Sequence, residues 1–88
     1  MIKGKTSSGF EFEISEDIIN DYELIENLGE LDDNPLILGK IVKQILGKEQ
    51  TAKLKDHIRN ENGIVPIDKM TQEIIGIFQS AGKETKNS

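Results

Sequence analysis

Alternation of apolar and polar side chains marks the beginning of the chain. In "FEFEI", residues 10–14, the apolar side chains share one face of an extended segment and the two glutamates share the other. "IKGKT", residues 2–6, alternates in the same way, and the intervening "SSG" has the composition of a turn because Gly9 tolerates positive φ. The pattern predicts an N-terminal β-hairpin. Its aromatic face has to rest on another element, since an isolated hairpin is marginally stable in water.

A helical period follows the hairpin. Ser15 is a suitable N-cap residue, and two acids lie in the first turn, where the helix dipole favours negative charge. Asn20 or Asp21 offers a second start, so the pattern allows either one helix or a short turn plus a helix. Gly29 and "LDDNP" end this segment. The apolar stripe expected to face the core consists of Ile18, Tyr22, Ile25 and Leu28.

Further helices are predicted downstream. The most apolar segment begins at Pro35, which suits the first turn of a helix, and Gly47 is its expected C-cap. "KEQTAKLKDHIRN", residues 48–60, predicts a weakly apolar and strongly basic helix. The last helix covers residues 67–81, and Gly82 is expected to end it. Its apolar stripe consists of Ile67, Met70, Ile74, Ile77, Phe78 and Ala81. The predicted fold class is α+β, mainly α, with an N-terminal β-hairpin followed by about four α-helices.

The length of 88 residues corresponds to one domain, which we assign to residues 1–82, with residues 83–88 as a disordered polar tail. A domain this small buries only about 60% of its unfolded surface, so it gains stability from a partner. The absence of cysteine excludes disulfides, thiolate metal sites and cysteine nucleophiles. No apolar run approaches the roughly 18 residues of a membrane span. The polar N-terminus lacks the features of a secretory signal, so a cytoplasmic protein is expected.

Charge is distributed unevenly along the chain. Residues 11–33 contain ten acidic residues and no lysine or arginine, whereas residues 40–59 contain six basic residues and two acids. The net charge of −5 argues against nonspecific nucleic-acid binding, which needs a basic surface. The asymmetry allows two interpretations. Two solvated faces could stabilise each other within one fold, or complementary surfaces could dock between copies or onto a partner.

The segment "HIRNENGIVPID", residues 57–68, holds the only histidine and the only arginine of the chain. An EF-hand alignment with Gly63 at its sixth position places two asparagines at ligand positions. The same alignment places Ile58 at the first position and Lys69 at the last. Neither an apolar side chain nor a cation can bind calcium, so the segment is not a calcium loop.

His57 lacks the sequence surroundings of a catalytic or metal-binding histidine. Nucleophilic catalysis requires a nucleophile and an orienting acid, but the adjacent Asp56 points away from His57 on a helix. Turns, caps and solubility explain the serines, and no phosphate-binding loop is present. We therefore expect no enzyme, no metal and no cofactor. The segment is interpreted as a hinge, in which Asn62-Gly63 turns the chain after a helix that ends near Arg59.

The helix–turn–helix outline around this hinge raises DNA binding as an alternative function. The predicted second helix begins with "IDKMTQEI", which has one lysine against two acids and few groups suited to phosphate. Recognition helices normally offer Arg, Lys, Gln or Asn to bases and backbone. A small helix-turn-helix DNA-binding regulator is therefore the second hypothesis.

Four short phrases stand out within residues 6–79: "LGKEQ", the pattern L-x-D-H-I-R, "ENGIVP" and the closing "EIIGIF". None of them is a catalytic signature. In this order they resemble the small tail assembly chaperones of long-tailed bacteriophages and of prophages in Gram-positive bacteria. The resemblance implies a non-enzymatic protein that acts by binding.

Chaperones of that family coat the long tape-measure protein in the infected cell, keep it soluble and help recruit tail-tube subunits. By resemblance, we expect this chain to be the short form, active in the bacterial host cytoplasm and absent from the mature virion. In many phages a translational frameshift makes a longer form that contacts the tail-tube protein. The small size and the segregated charge also favour a homo-oligomer, and neither nucleic acid nor a membrane is an expected partner.

The candidate partner-binding residues fall into two groups. One group is the basic face of the predicted central and third helices, and the other contains apolar positions left over from the predicted packing. We expect tape-measure helices to lie in an apolar groove by the helix-in-groove mode. The basic candidates are Lys40, Lys43, Lys53, Lys55 and Arg59, and the apolar candidates are Ile37, Ile75 and Phe10.

Overall fold

The computed structural model describes residues 1–86, with side chains described for residues 1–81. Within this part of the chain, a two-stranded antiparallel hairpin is followed by four helices, which confirms the predicted fold class. The elements are β1 (Ile2–Lys5), β2 (Glu11–Ile14), α1 (Glu16–Ile19), α2 (Tyr22–Glu30), a 3₁₀ turn (Pro35–Ile37), α3 (Leu38–Ile58) and α4 (Ile67–Lys86). No described helix is both long and apolar enough to cross a membrane.

The hairpin closes as its sequence pattern predicts. Ile2 pairs with Ile14, and the Thr6 N–H donates to the Phe10 carbonyl at 2.9 Å beside the turn. Gly9 has a φ of 93°, which supplies the left-handed residue that the turn requires. The apolar side chains of β2 are buried and its glutamates are exposed. The sheet therefore presents one apolar face, which α3 and α4 cover.

The first helical segment consists of two helices, because Asp21 starts a new one. Ser15 caps α1 by accepting a hydrogen bond from the Asp17 N–H at 3.2 Å, and Asp21 caps α2 by accepting from the Glu23 N–H at 2.9 Å. The break changes the phase of the helix. As a result Leu24 is the fully buried residue of α2, whereas Tyr22 is 72% exposed.

The predicted stripe of this segment is therefore wrong in part. Ile18 and Leu28 pack against the core, but Tyr22 and Ile25 face outward. The predicted stripe assumes one continuous helix from Ile18 to Leu28. Because a new helix begins after Asp21, the later residues point in different directions around the helix axis. The exposed face of α2 consequently combines two apolar side chains with acidic neighbours.

A kink at Gly47 divides α3 into two halves. Gly47 has φ 77° and ψ 169°, a conformation essentially restricted to glycine, so the expected helix stop is present but the chain resumes a helix at once. The Thr51 hydroxyl donates to the Gly47 carbonyl at 2.7 Å. The Gln50 side chain donates to the Leu46 carbonyl at 2.9 Å, and it also bonds to the backbone N–H and carbonyl of Glu13 at 2.8 and 2.7 Å. Side chains thus satisfy the backbone groups that the kink releases.

Helix α4 packs on both the hairpin and α3 through its apolar stripe. Met70, Ile74, Ile77 and Ala81 are buried as predicted, whereas Phe78 is half-buried and Ile67 is exposed. The expected end of this helix at Gly82 is wrong, because α4 continues to Lys86. Residues 83–86 of the predicted tail are therefore helical, and residues 87–88 lie outside the described residues.

Candidate partner-binding groove

His57 connects the second half of α3 to the hairpin turn. Its Nε2 atom lies 3.1 Å from both the hydroxyl and the carbonyl oxygen of Ser8. Its ring also contacts the ring of Phe10, with the two centroids 5.7 Å apart. The two segments are 49 positions apart in sequence, so the sequence pattern could not reveal this contact.

The Ser8–His57 contact raises the question of a nucleophilic dyad. A general base needs a free lone pair on Nε2, aimed at the serine hydroxyl. The same Nε2 lies beside the Ser8 carbonyl, which can only accept a hydrogen bond, so the atom serves as a donor to the backbone. Asp56, the adjacent acid, pairs instead with Arg59 at 3.3 Å. The arrangement ties two segments together and does not prepare Ser8 for attack.

Local hydrogen bonds close the turn that follows His57. The Asn60 side chain accepts from the Asn62 N–H at 2.9 Å and from the Ile64 N–H at 3.1 Å. Arg59 donates to the Gly63 carbonyl at 2.9 Å, and Gly63 has a φ of 81°. The predicted hinge is confirmed as a closed turn, built around an Asn side chain and a left-handed glycine.

A polar cleft of about 430 Å³ lies beside this turn, lined by Ser8, His57, Arg59, Lys69 and Glu73, among others. Glu73 is buried, and its carboxylate accepts a hydrogen bond of 2.7 Å from the Thr6 hydroxyl. Within the described residues, no group of three or more His, Cys, Asp or Glu side chains is placed to hold a metal ion. The cleft therefore contains a structural carboxylate that links the hairpin to α4.

A second depression lies between α3 and the beginning of α4, and its lining is more apolar than that of the polar cleft. Its volume is about 320 Å³, and we call it the α3–α4 groove. Leu38, Val42 and Met70 are buried apolar residues of its lining, while Ile67 is 68% exposed. Apolar side chains that remain exposed along a depression between helices are typical of a protein-binding surface.

The groove spans the kink at Gly47. Lys43 belongs to the first half of α3 and Lys55 to the second, yet both line the same depression. Thr51, which closes the kink, is also part of the lining. Val65 of the link after the hinge and Ile67 at the start of α4 complete the lining. The groove thus combines both halves of α3 with the beginning of α4.

Two of the five predicted basic candidates lie in the groove, and three lie outside it. Lys43 and Lys55 are exposed groove residues, and neither forms an ion pair or a hydrogen bond with the side chains described for residues 1–81. Lys40 and Lys53 are exposed but do not line the groove. Arg59 is held by Asp56 and by the turn.

The predicted apolar contact residues agree less well with the structure than the predicted basic ones. Phe10 is only 6% exposed and belongs to the core, so its selection as a contact residue is wrong. Ile37 packs against the core as a half-buried residue, and Ile75 is exposed on α4 but lies outside the groove. Val65 and Ile67 line the groove but are not among the predicted contact residues. The sequence signal for them is the apolar run "IVPI", in which Ile67 is assigned to the core-facing stripe of the last helix.

Comparisons with known proteins add no relative to this description. A scan against family models, a search of curated proteins and a search of solved structures each return no match. These comparisons therefore neither support nor contradict the phage resemblance or the DNA-binding alternative.

Proposed function

We propose that this protein is a phage tail assembly chaperone, which binds the tape-measure protein and keeps it soluble in the bacterial host cytoplasm while the tail forms. The observation that carries the proposal is the α3–α4 groove, an apolar depression flanked by two lysines that form no ion pair with the side chains of residues 1–81. A surface of this kind suits a protein that acts by covering apolar segments of another chain.

The phrases that carry the resemblance coincide with the elements that shape the groove. "LGKEQ" contains Gly47 and Gln50, which form and support the kink. "ENGIVP" contains Gly63 and Val65, which form the turn and part of the groove wall. This coincidence supports the proposal, because phrases shared with a binding family are here the residues that build a binding surface.

The small size of the groove fits a reversible interaction. A depression of about 320 Å³ covers only a short segment of a partner, so a single contact is weak. Many copies bound along one long chain gain strength from their number and still separate one by one. Such behaviour suits a chaperone that coats the tape-measure protein and leaves before the virion is finished.

The proposal also includes self-association and a role in recruiting tail-tube subunits. The acidic segment of residues 11–33 and the basic residues of α3 give each copy two segments of opposite charge. Contact with the tube protein is assigned to a longer, frameshifted form of the chain. Light scattering over a range of protein concentrations tests self-association, and a constant monomer mass would contradict it.

A small helix-turn-helix DNA-binding regulator stays the alternative. Residues 59–66 separate α3 from α4, whereas the turn of that motif has about 3–4 residues. The net charge of −5 is also unfavourable beside phosphate. A regulator would bind duplex DNA with an affinity that falls steeply with salt. The absence of such binding at low salt would remove this alternative.

Co-expression with the tape-measure protein of the same phage genome tests the main proposal. We expect the soluble fraction of the tape-measure protein to rise several-fold when this chain is present, and the two proteins to co-purify. An unrelated acidic protein of similar size, expressed at the same level, serves as the control. An unchanged soluble fraction would contradict the proposal.

A further inference from the structure

We infer that the α3–α4 groove is the partner-binding surface, and that its ligand is an amphipathic helix whose apolar ridge is flanked by carboxylates. The inference rests on the proposed function only for the identity of the protein that supplies this helix. The form and charge of the ligand follow from the groove itself.

The walls of the groove favour a helix over an added strand. Strand addition requires a free edge of backbone donors and acceptors. Most of the groove lining belongs to α3 and α4, whose backbone groups are bonded within the helices. In the non-helical link, Ile64 is bonded to Asn60 and Pro66 has no N–H. Recognition therefore proceeds through side chains, as when one helix lies in a groove between others.

The charges of the groove select acidic flanks on that helix. Lys43 and Lys55 lie on the two halves of α3, beside apolar lining residues. No carboxylate among the described residues forms an ion pair with either lysine. When the apolar ridge of the ligand helix lies in the groove, the ligand residues beside that ridge lie close to the ammonium groups of Lys43 and Lys55. Carboxylates at these ligand positions form ion pairs with the two lysines, whereas lysines at the same positions would be repelled.

A separate chain fits this ligand better than the exposed face of α2 in a second copy. Helix-in-groove binding uses apolar anchors at positions i, i+3, i+4 and i+7 of one face. The outward face of α2 offers only Tyr22 and Ile25, because Leu24 is fully buried and Leu28 packs against the core. We therefore assign the groove to a helical segment of the partner protein.

Binding of two synthetic peptides to the full chain tests the ligand chemistry. Both peptides are helical, with leucines at i, i+3, i+4 and i+7, and they differ only in flanking glutamates or flanking lysines. Fluorescence anisotropy is expected to give at least about tenfold tighter binding for the glutamate peptide. Equal affinities, or no binding of the glutamate peptide, would overturn the inference.

Matched variants locate the bound peptide. The double substitution Lys43→Glu, Lys55→Glu is expected to weaken binding of the glutamate peptide by about tenfold or more. The double substitution Lys40→Glu, Lys53→Glu changes the net charge equally, outside the groove, and is expected to change affinity by less than about threefold. Equal losses in the two variants would show attraction to overall charge alone and would overturn the site.

A second pair of variants tests the apolar contact without disturbing the core. Ile67→Ser removes an exposed groove residue and is expected to weaken the peptide about fivefold. Leu36→Ser removes a residue that is 91% exposed and lies outside the groove, and its effect is expected to be negligible. Equal effects of the two substitutions would contradict an apolar contact in the groove.

Amide NMR spectra of the wild-type chain identify the occupant directly. Addition of the glutamate peptide is expected to shift resonances of residues that line the groove. If dilution alone shifts those resonances and the peptide does not, a second copy occupies the groove and the inference is overturned.

The proposed function and this inference can fail separately. If the wild-type chain keeps the tape-measure protein soluble and the Lys43→Glu, Lys55→Glu variant does so equally well, the function stands and the groove assignment falls. If the wild-type chain does not solubilise the tape-measure protein but binds the glutamate peptide in the groove, the function falls and the groove chemistry stands.

Discussion

The kink at Gly47 and the turn at Gly63 both depend on a glycine with positive φ, but different parts of the molecule hold them. At the turn, the hydrogen bonds of Arg59 and Asn60 join residues no more than four positions apart. At the kink, Thr51 and Gln50 also form bonds over four positions, but Gln50 additionally reaches Glu13, which is 37 positions away. The turn is therefore held by local bonds, whereas the kink also depends on a contact across the assembled fold.

This difference has a consequence for the groove. The kink lies between Lys43 and Lys55, which line one depression, so we expect the angle between the halves of α3 to set the relative position of these lysines. The turn determines where α4 begins, and so where Ile67 lies. A change at the kink, which lies between the two groove lysines, should therefore disturb both stability and the groove, whereas a change at the turn should disturb stability and, through Ile67, the groove to a smaller extent.

The largest effect is expected for Gly47→Ala. With φ 77° and ψ 169°, Gly47 occupies a region that costs other residues about 1–3 kcal/mol. We expect urea unfolding to show a loss of stability of about 2 kcal/mol, together with weaker binding of the glutamate peptide.

Gly39→Ala in the same helix is the matched control for stability, and not for peptide binding, because Gly39 lines the groove. Gly39 has no positive φ, and an added Cβ atom would meet nothing within 4 Å. This substitution is expected to raise the free energy of unfolding by about 0.5–1 kcal/mol. If Gly47→Ala proved as stable as the wild-type chain, the kink would not require a left-handed residue.

Gln50→Ala should have the next largest effect. It removes the bonds to the Glu13 backbone and to the Leu46 carbonyl, and we expect a loss of about 1–2 kcal/mol in urea unfolding. Gln50→Glu should be about as costly, because a carboxylate keeps the acceptor but loses both donated bonds. Gln72→Ala, at an exposed position, is the control and should stay within about 0.5 kcal/mol. A neutral Gln50→Ala would mean that the kink is as local as the turn.

The sequence predicts the elements whose determinants lie close together in the chain. The hairpin follows from alternation and a turn glycine, and the hinge from Asn62-Gly63, since each involves neighbouring residues. The pattern leaves open whether a second helix starts at Asn20 or Asp21, and the stripe that includes Tyr22 is wrong because the phase of a helix depends on where it begins. Phe10 lies on the hairpin face that is predicted to rest on another element, so its burial agrees with that prediction and not with its choice as a contact residue.

The sequence predicts an apolar groove and a basic face, but it does not predict which residues line the groove. The two groove lysines were among the basic candidates, but composition alone could not separate Lys43 and Lys55 from Lys40 and Lys53. Lys43 and Lys55 lie on opposite sides of the kink, which Gln50 supports through a contact with Glu13 that forms only in the folded chain. Ile67 belongs to the predicted apolar stripe of the last helix, but its place beside Val65 in the groove depends on how α4 packs against α3.

A smaller effect is expected for Gly63→Ala at the turn. The φ of 81° places Gly63 in the left-handed region, which costs an alanine about 1 kcal/mol. Gly63→Asn should cost less than half of that, since asparagine tolerates this region. Chemical denaturation measures both variants. Binding of the glutamate peptide by folded Gly63→Ala should weaken less than binding by folded Gly47→Ala, because the turn positions Ile67 but not the two lysines. An equal loss of binding would show that the turn shapes the groove as much as the kink does.

The smallest effect is expected for His57→Ala, which tests whether the turn region depends on the hairpin. The substitution removes the Nε2 contact with Ser8 and the ring contact with Phe10, but His57 is exposed, so the loss should be about 0.5–1 kcal/mol. In a double-mutant cycle, Ser8→Ala removes the hydroxyl and keeps the carbonyl. If the carbonyl is the principal partner, the coupling energy between the two side chains is close to zero. A coupling above about 1 kcal/mol would identify the hydroxyl as the partner of His57 instead, and would return a Ser–His pair to consideration.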